Sequence, residues 1–141
     1  MRNGFGGRGA LALLVAALAG CSATAATAPM DEGDWVYSGV GPTEANNLER
    51  FDAFLAVTGS GGADAVRIVS MTVEGDPIYT DISYSEGKYE VYVDASADAF
   101  ASADDRERTK AAECTRLVVS DRPDEFSDYA CGSFSFVLKD L

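Results

Sequence analysis

Between Val66 and Val93 apolar and polar residues alternate with a period of two, broken by turn residues at Glu74-Gly75-Asp76-Pro77 and again at Glu86-Gly87. Alternation bounded by such turns predicts three consecutive antiparallel strands. Folding about the first turn opposes Val73 to Ile78 and Val69 to Ile82. Folding about the second opposes Tyr84 to Tyr89, Ile82 to Val91 and Thr80 to Val93. These registers gather Val69, Val73, Ile78, Ile82, Tyr84, Tyr89, Val91 and Val93 on one side of the sheet. Tyr79, Asp81, Ser83, Glu90, Tyr92 and Asp94 fall on the other. Arg67 and Met71 land on the apolar side, Arg67 at the sheet end with its head in water.

Upstream the period changes. Leu48, Phe51, Phe54, Leu55 and Val57 recur at helical spacing, so about three turns of helix carry one apolar face. Asn46 with Glu49 fits a capping box, and Asn47 is an alternative cap. Thr58-Gly59-Ser60-Gly61-Gly62 ends the helix, with Gly59 placed as the left-handed residue beyond its last turn. A helix this short is marginal alone and must lie on a sheet. Before it, Trp35-Val36-Tyr37 reads as a short edge strand or a lead-in to the domain.

Downstream, residues 95–110 form a polar connector with one apolar anchor, Phe100. Glu113 to Ser120 and Ser127 to Leu138 then read as a second hairpin turning at Arg122-Pro123. In that register Cys114 lies opposite Cys131, and Leu117, Val119, Phe126, Phe134 and Phe136 share a face. The expected fold is one α+β domain over residues 34–141, an N-terminal helix packed on an antiparallel sheet of about five strands.

The first thirty residues belong to a different class. Arg2 and Arg8 precede an apolar run of about ten residues, too short to span a bilayer, which reads as a secretory signal over residues 1–20. It ends in Leu18-Ala19-Gly20-Cys21, which resembles the bacterial lipobox, where the cysteine is acylated and becomes the new N-terminus. Two acyl chains suffice for lasting attachment, because each buried methylene contributes about 0.8 kcal/mol. Residues 21–33 are then the lipidated N-terminus and a flexible tether. The expected location is the extracytoplasmic face of the cell membrane. With Cys21 lipidated, Cys114 and Cys131 remain as a pair in an oxidising setting, and a disulfide between them is the default.

The formal charge is −12, and losing Arg2 and Arg8 with the signal takes it to −14. That surface disfavours nucleic acid and direct adhesion to anionic lipid or wall polymers. The chain has no histidine, which excludes Ser-His and Cys-His catalysis and deprives a two-cysteine metal site of partners. No metal and no cofactor are expected. Glu74 and Asp76 could serve as a carboxylate pair, yet Gly75, Asp76 and Pro77 also make a turn for purely backbone reasons. Asp94, Ser96 and Asp98 have the initial spacing of a calcium loop but lack its glycine and distal glutamate. Asp104-Asp105-Arg106-Glu107-Arg108 reads as a solvated loop. Trp35, Tyr37, Tyr79, Asp81 and Tyr92 are the candidate binding surface, since interfaces are enriched in aromatics; cross-strand packing is the plain alternative.

Val66-Arg67-Ile68-Val69, with Thr72 to Tyr79 around Glu74-Gly75-Asp76-Pro77-Ile78, is similar to an uncharacterised family of small bacterial lipoproteins. That family is a domain of unknown function found mainly in Gram-positive bacteria. The resemblance runs from about Asn47 through the 94–100 connector to the two late cysteines. It implies a lipoprotein and brings no activity, substrate or catalytic residues. The expectation is a membrane-anchored lipoprotein that binds an envelope protein or ligand without catalysis. The alternative is an inhibitor or modulator of an extracytoplasmic enzyme such as a protease or wall hydrolase.

Overall fold

The computed structural model describes residues 30–38, 47–121 and 126–139. The signal segment, Cys21, most of the tether, Asn46 and the Arg122-Pro123 turn lie outside the described residues.

A single 3-10 turn at Glu32–Asp34 leads into β1 (Trp35–Tyr37), and the one described helix, α1, follows at Leu48–Gly59. Seven strands come after it: β2 (Asp64–Met71), β3 (Pro77–Ser85), β4 (Lys88–Asp94), β5 (Thr109–Cys114), β6 (Val118–Asp121), β7 (Phe126–Cys131) and β8 (Phe134–Lys139). They form a five-stranded sheet in the order β1-β2-β3-β4-β5 and a three-stranded sheet in the order β6-β7-β8. The protein is therefore mostly β, which corrects the expected α+β fold with one antiparallel sheet. β1 also runs parallel to β2, not antiparallel.

The helix sits between the sheets. Phe51 and Phe54 are 1 % and 0 % exposed, and burial of each contributes about 1.5–3 kcal/mol. Phe51 meets the small sheet edge-on at Tyr129, with ring centroids 4.8 Å apart, and Phe54 meets Tyr89 of the large sheet at 6.1 Å. Val36, Val66, Ile68, Ile82 and Val91 complete the core from the large sheet; Leu117, Phe136 and Leu138 do so from the far side. Inside this core the Tyr89 hydroxyl donates to Thr58 Oγ1 at 2.8 Å.

The helix ends differ from the expected caps. Asn47 precedes the helix in the left-handed region (φ 53°) and makes no side-chain cap. Its amide donates instead to Gly33 O and Trp35 O, fastening β1 to the start of the helix. At the other end Gly61, not Gly59, takes the left-handed conformation (φ 84°). Gly62 N donates to Val57 O and Gly61 N to Thr58 O, a Schellman closure two residues later than the spacing suggested. Arg50 locks this end of the domain. It bonds both oxygens of Asp64, Asp34 Oδ1 and the carbonyl of Ala65.

Two registers need correction and one is as expected. At Glu86-Gly87 both residues have positive φ, which suits a two-residue hairpin, and Tyr84 opposes Tyr89 as the alternation predicts. The first hairpin closes earlier. Val69 opposes Tyr79 and Val66 opposes Ile82, because Thr72 N bonds Asp76 O across a five-residue loop and pairing ends at Met71–Pro77. That is a shift of three residues, and an odd shift exchanges the faces. Val66 and Ile68 go to the core, while Arg67 and Val69 move to the other face, and Val73 stands 98 % exposed in the loop.

The late hairpin is the second correction. Cys114 pairs in register with Tyr89 in the large sheet, and Cys131 ends β7 in the small one. Cys114 and Cys131 are bonded, so the bridge joins two sheets and does not cross one hairpin. Gly132 (φ 61°) turns the chain between β7 and β8, splitting the expected Ser127–Leu138 strand. Leu117 and Phe136 are buried as expected and Val119 is half exposed; the side chain of Phe126 lies outside the described residues.

Candidate functional site

Because helix and small sheet occupy one face of the large sheet, the opposite face is left to polar and aromatic side chains. One row crosses all five strands in register: Trp35 opposes Arg67, Arg67 opposes Asp81, Asp81 opposes Tyr92, and Tyr92 opposes Lys110. A second row places Tyr37, Val69, Tyr79 and Asp94 beside it. The five residues singled out as a binding surface, Trp35, Tyr37, Tyr79, Asp81 and Tyr92, thus share one face.

Asp81 is the centre. Its side chain is 6 % exposed and is gripped by Arg67, Nε to Oδ1 at 2.6 Å and Nη2 to Oδ2 at 3.0 Å. The hydrogen-bonded Asp81 carboxylate raises the Arg67 guanidinium above its ordinary pKa, against the opposing effect of burial. Arg67 lies over the Tyr79 ring at 4.7 Å and the Trp35 ring at 5.9 Å, and these rings are 5.7 Å apart. Arg108 approaches from the connector before β5. Its Nε donates to Asp81 Oδ2 at 3.3 Å and its guanidinium covers Tyr92 at 4.1 Å. Each stacked cation contributes about 0.5–1 kcal/mol at such partly exposed positions.

The Lys110 end of the face is more open. Lys110 Nζ bridges Glu90 at 2.6 Å and Glu113 at 2.7 Å, and Lys88 reaches Glu113 at 3.1 Å. Lys110, followed by Lys88, lowers the Glu113 pKa, and Glu113 with Glu90 raises that of Lys110. The strand pairing shifts by one residue between Val91 and Tyr92, a bulge that brings Lys110 level with Tyr92.

The other candidates resolve into structure. In the Glu74-Gly75-Asp76-Pro77 turn, Gly75 has φ 95° and its N–H donates to Thr72 O. Asp76 Oδ2 accepts from Ala99 N at 2.9 Å and pins the connector to this turn, while Glu74 faces solvent. Asp94 and Asp98 accept from the backbone N–H groups of Ser96 and Phe100, two residues on in each case. Among the described residues no group of three or more His, Cys, Asp or Glu side chains could hold a metal ion. No described helix is long and apolar enough to cross a membrane.

Arg67 and Arg108 were missed by sequence reasoning. The first-hairpin register read from the sequence puts Arg67 on the apolar side, and the charge run around Arg108 reads as a solvated loop. The signal available was Asp81, a carboxylate in mid-strand that needs a cationic partner if buried.

No curated protein and no solved structure matches the chain. A family profile does, over residues 33–130, a span holding both rows of the outer face, α1 and strands up to the penultimate residue of β7. By that match the chain belongs to the family of the domain of unknown function DUF4362.

Proposed function

We propose that the protein is a non-enzymatic binding module, held at the outer side of the cytoplasmic membrane by lipid on Cys21, that takes its ligand on the outer face of the five-stranded sheet. The observation that carries this reading is the Trp35–Arg67–Asp81–Tyr92–Lys110 row. Aromatic and arginine side chains in one fixed array are the residues that dominate binding energetics, and strands hold them more rigidly than loops would. The membrane attachment rests on the Leu18-Ala19-Gly20-Cys21 lipobox behind its apolar run. The absence of histidine and of a nucleophile–base pair speaks for binding over catalysis.

A second reading has its own observation. Val73 is 98 % exposed in the 72–76 loop, and that loop is braced by the Asp76–Ala99 bond. A rigid loop presenting one bare apolar side chain suits insertion into the cleft of an extracytoplasmic enzyme.

Proximity crosslinking in intact cells separates these. The wild-type protein should recover one defined envelope component. Tyr92→Ala with Arg108→Gln should lose it, and Cys21→Ala should lose it by release from the membrane. Recovery that survives the face variants but not Val73→Asp would replace the first reading with the second.

A further inference from the structure

The ligand class can be taken further, on the footing that the outer face is the binding surface. We infer that this face binds an uncharged glycan chain.

Charge is the first argument. The chain carries a net −12, yet the outer face is balanced. Arg67 and Arg108 stand against Asp81 and Asp94 at one end. Lys88 and Lys110 stand against Glu90 and Glu113 at the other. Nearly half of the nine lysines and arginines beyond residue 20 are therefore spent neutralising one side of one sheet. An anionic polymer gains nothing there and is repelled by the rest of the surface, and a cationic one is drawn more strongly elsewhere. An uncharged ligand meets the least cost.

The second argument is the form of the polar groups. Fixed in ion pairs, these side chains still offer directed donors. Among the described residues Arg67 Nη1 and both terminal nitrogens of Arg108 make no hydrogen bond, and the Arg108 side chain is 44 % exposed. The Arg108 guanidinium, 4.1 Å over the Tyr92 ring, keeps its terminal N–H groups to donate to the hydroxyls of a sugar.

The third is the spacing of the rings. Trp35 and Tyr92 are three strands apart in one row, about 14 Å at ordinary strand spacing. One face of each ring carries a guanidinium, Arg67 on Trp35 and Arg108 on Tyr92, so the apolar C–H faces of sugar rings would rest on the opposite faces. Rings at both ends with hydrogen-bonding groups between them match a short run of linked sugars, where a single small molecule would reach only one end.

Trp35 is the chain's one tryptophan, so its fluorescence reads this face directly. Full-length lipidated protein in detergent micelles is titrated with a β-linked N-acetylglucosamine tetramer, with a β-linked glucose tetramer, and with polygalacturonate as an anionic control. The expected result is a saturable change in Trp35 emission with an uncharged glycan. Tyr92→Ala and Arg108→Gln should each weaken it tenfold or more, and Val119→Ala, on the small sheet, should leave it unchanged. Circular dichroism certifies that each variant is folded. Stronger binding of polygalacturonate would overturn the inference. So would silence with every uncharged glycan; if crosslinking then still recovered a protein in a Tyr92-dependent way, the binding reading would stand with a protein as ligand. Silence in both experiments would remove both readings.

Discussion

Arg67 on β2 and Asp81 on β3 are directly opposed and share two hydrogen bonds, 2.6 and 3.0 Å, with the carboxylate only 6 % exposed. Asp81 has a second cation, Arg108, at 3.3 Å. Asp81→Ala strands Arg67 between Trp35 and Tyr79 without its anion, and breaking a buried pair from one side costs about 3–5 kcal/mol. Replacing both partners, Arg67→Met with Asp81→Leu, should cost much less, because the charge then left without Asp81, on Arg108, is 44 % exposed and stays hydrated. Urea unfolding of the wild type and the two variants decides it. A loss under about 1 kcal/mol for Asp81→Ala alone would mean that solvent already screens the pair.

The Cys114–Cys131 bridge spans a sequence separation of 17, for which loop closure alone gives about 3 kcal/mol of stability. Its placement between β5 and β7 adds a local expectation. In the Cys114→Ser, Cys131→Ser variant the amides of β6, β7 and β8 should exchange with deuterium faster relative to those of β2, β3 and β4. Uniform acceleration in both sheets would show that Phe51, packed on Tyr129 and Phe136, already couples them.

Gly59 and Gly61 should respond oppositely to alanine. Gly59 is the last helical residue, with nothing within 4 Å of an added Cβ, so Gly59→Ala should stabilise by about 0.5–1 kcal/mol through helix propensity. Gly61 has equal room but φ of 84°, so Gly61→Ala should cost about 1–2 kcal/mol. Thermal melts of the pair would show opposite shifts in midpoint. The reverse order would place the left-handed residue at Gly59.

What the sequence concealed has a common physical source. Helix and strand periods were legible from Phe51, Phe54 and the Tyr84–Tyr89 alternation, because local burial fixes them. Loop length was not. Counting Glu74-Gly75-Asp76-Pro77 as the whole turn set the pairing three residues off, and the loop at 72–76 is closed by Thr72 and Asp76 backbone groups that no side-chain pattern announces. Tyr79, Asp81 and Tyr92 keep their common face since they depend on the second turn alone. Arg67 depended on the first and was misplaced. In the late segment the apolar phase moves from odd positions, Tyr129 and Cys131, to even ones, Phe134, Phe136 and Leu138, across Gly132. That break was visible and marks the turn that makes the second sheet.

Asp94 should respond to acid and to loss of Ser96. The Ser96 hydroxyl, together with its N–H at 2.9 Å, holds the Asp94 carboxyl below its usual 3.8 despite partial burial. A folded value below the unfolded one means that the ionised carboxylate stabilises the protein above about pH 4, and that this contribution disappears as pH falls through the lower, folded value. Ser96→Ala removes the hydroxyl and should raise the Asp94 midpoint toward the ordinary value, read from its carboxyl carbon shift. An unchanged midpoint would leave the backbone N–H and the two arginines to account for the shift.

Trp35 supplies the last prediction. Its indole Nε1 is closed to solvent and has no hydrogen-bond partner among the described residues. Such an unmade bond costs about 1–3 kcal/mol. Trp35→Phe deletes the N–H and keeps an aromatic ring against Tyr79 and under Arg67. The relief offsets the smaller ring, so its stability should stay within about 1 kcal/mol of wild type. Trp35→Ala loses the ring as well and should fall by about 3 kcal/mol or more. Chemical denaturation with both variants reads the difference. If Trp35→Phe were as damaging as Trp35→Ala, the N–H would have to be bonded in solution, and an acceptor at that point would be the first atom to seek in any complex.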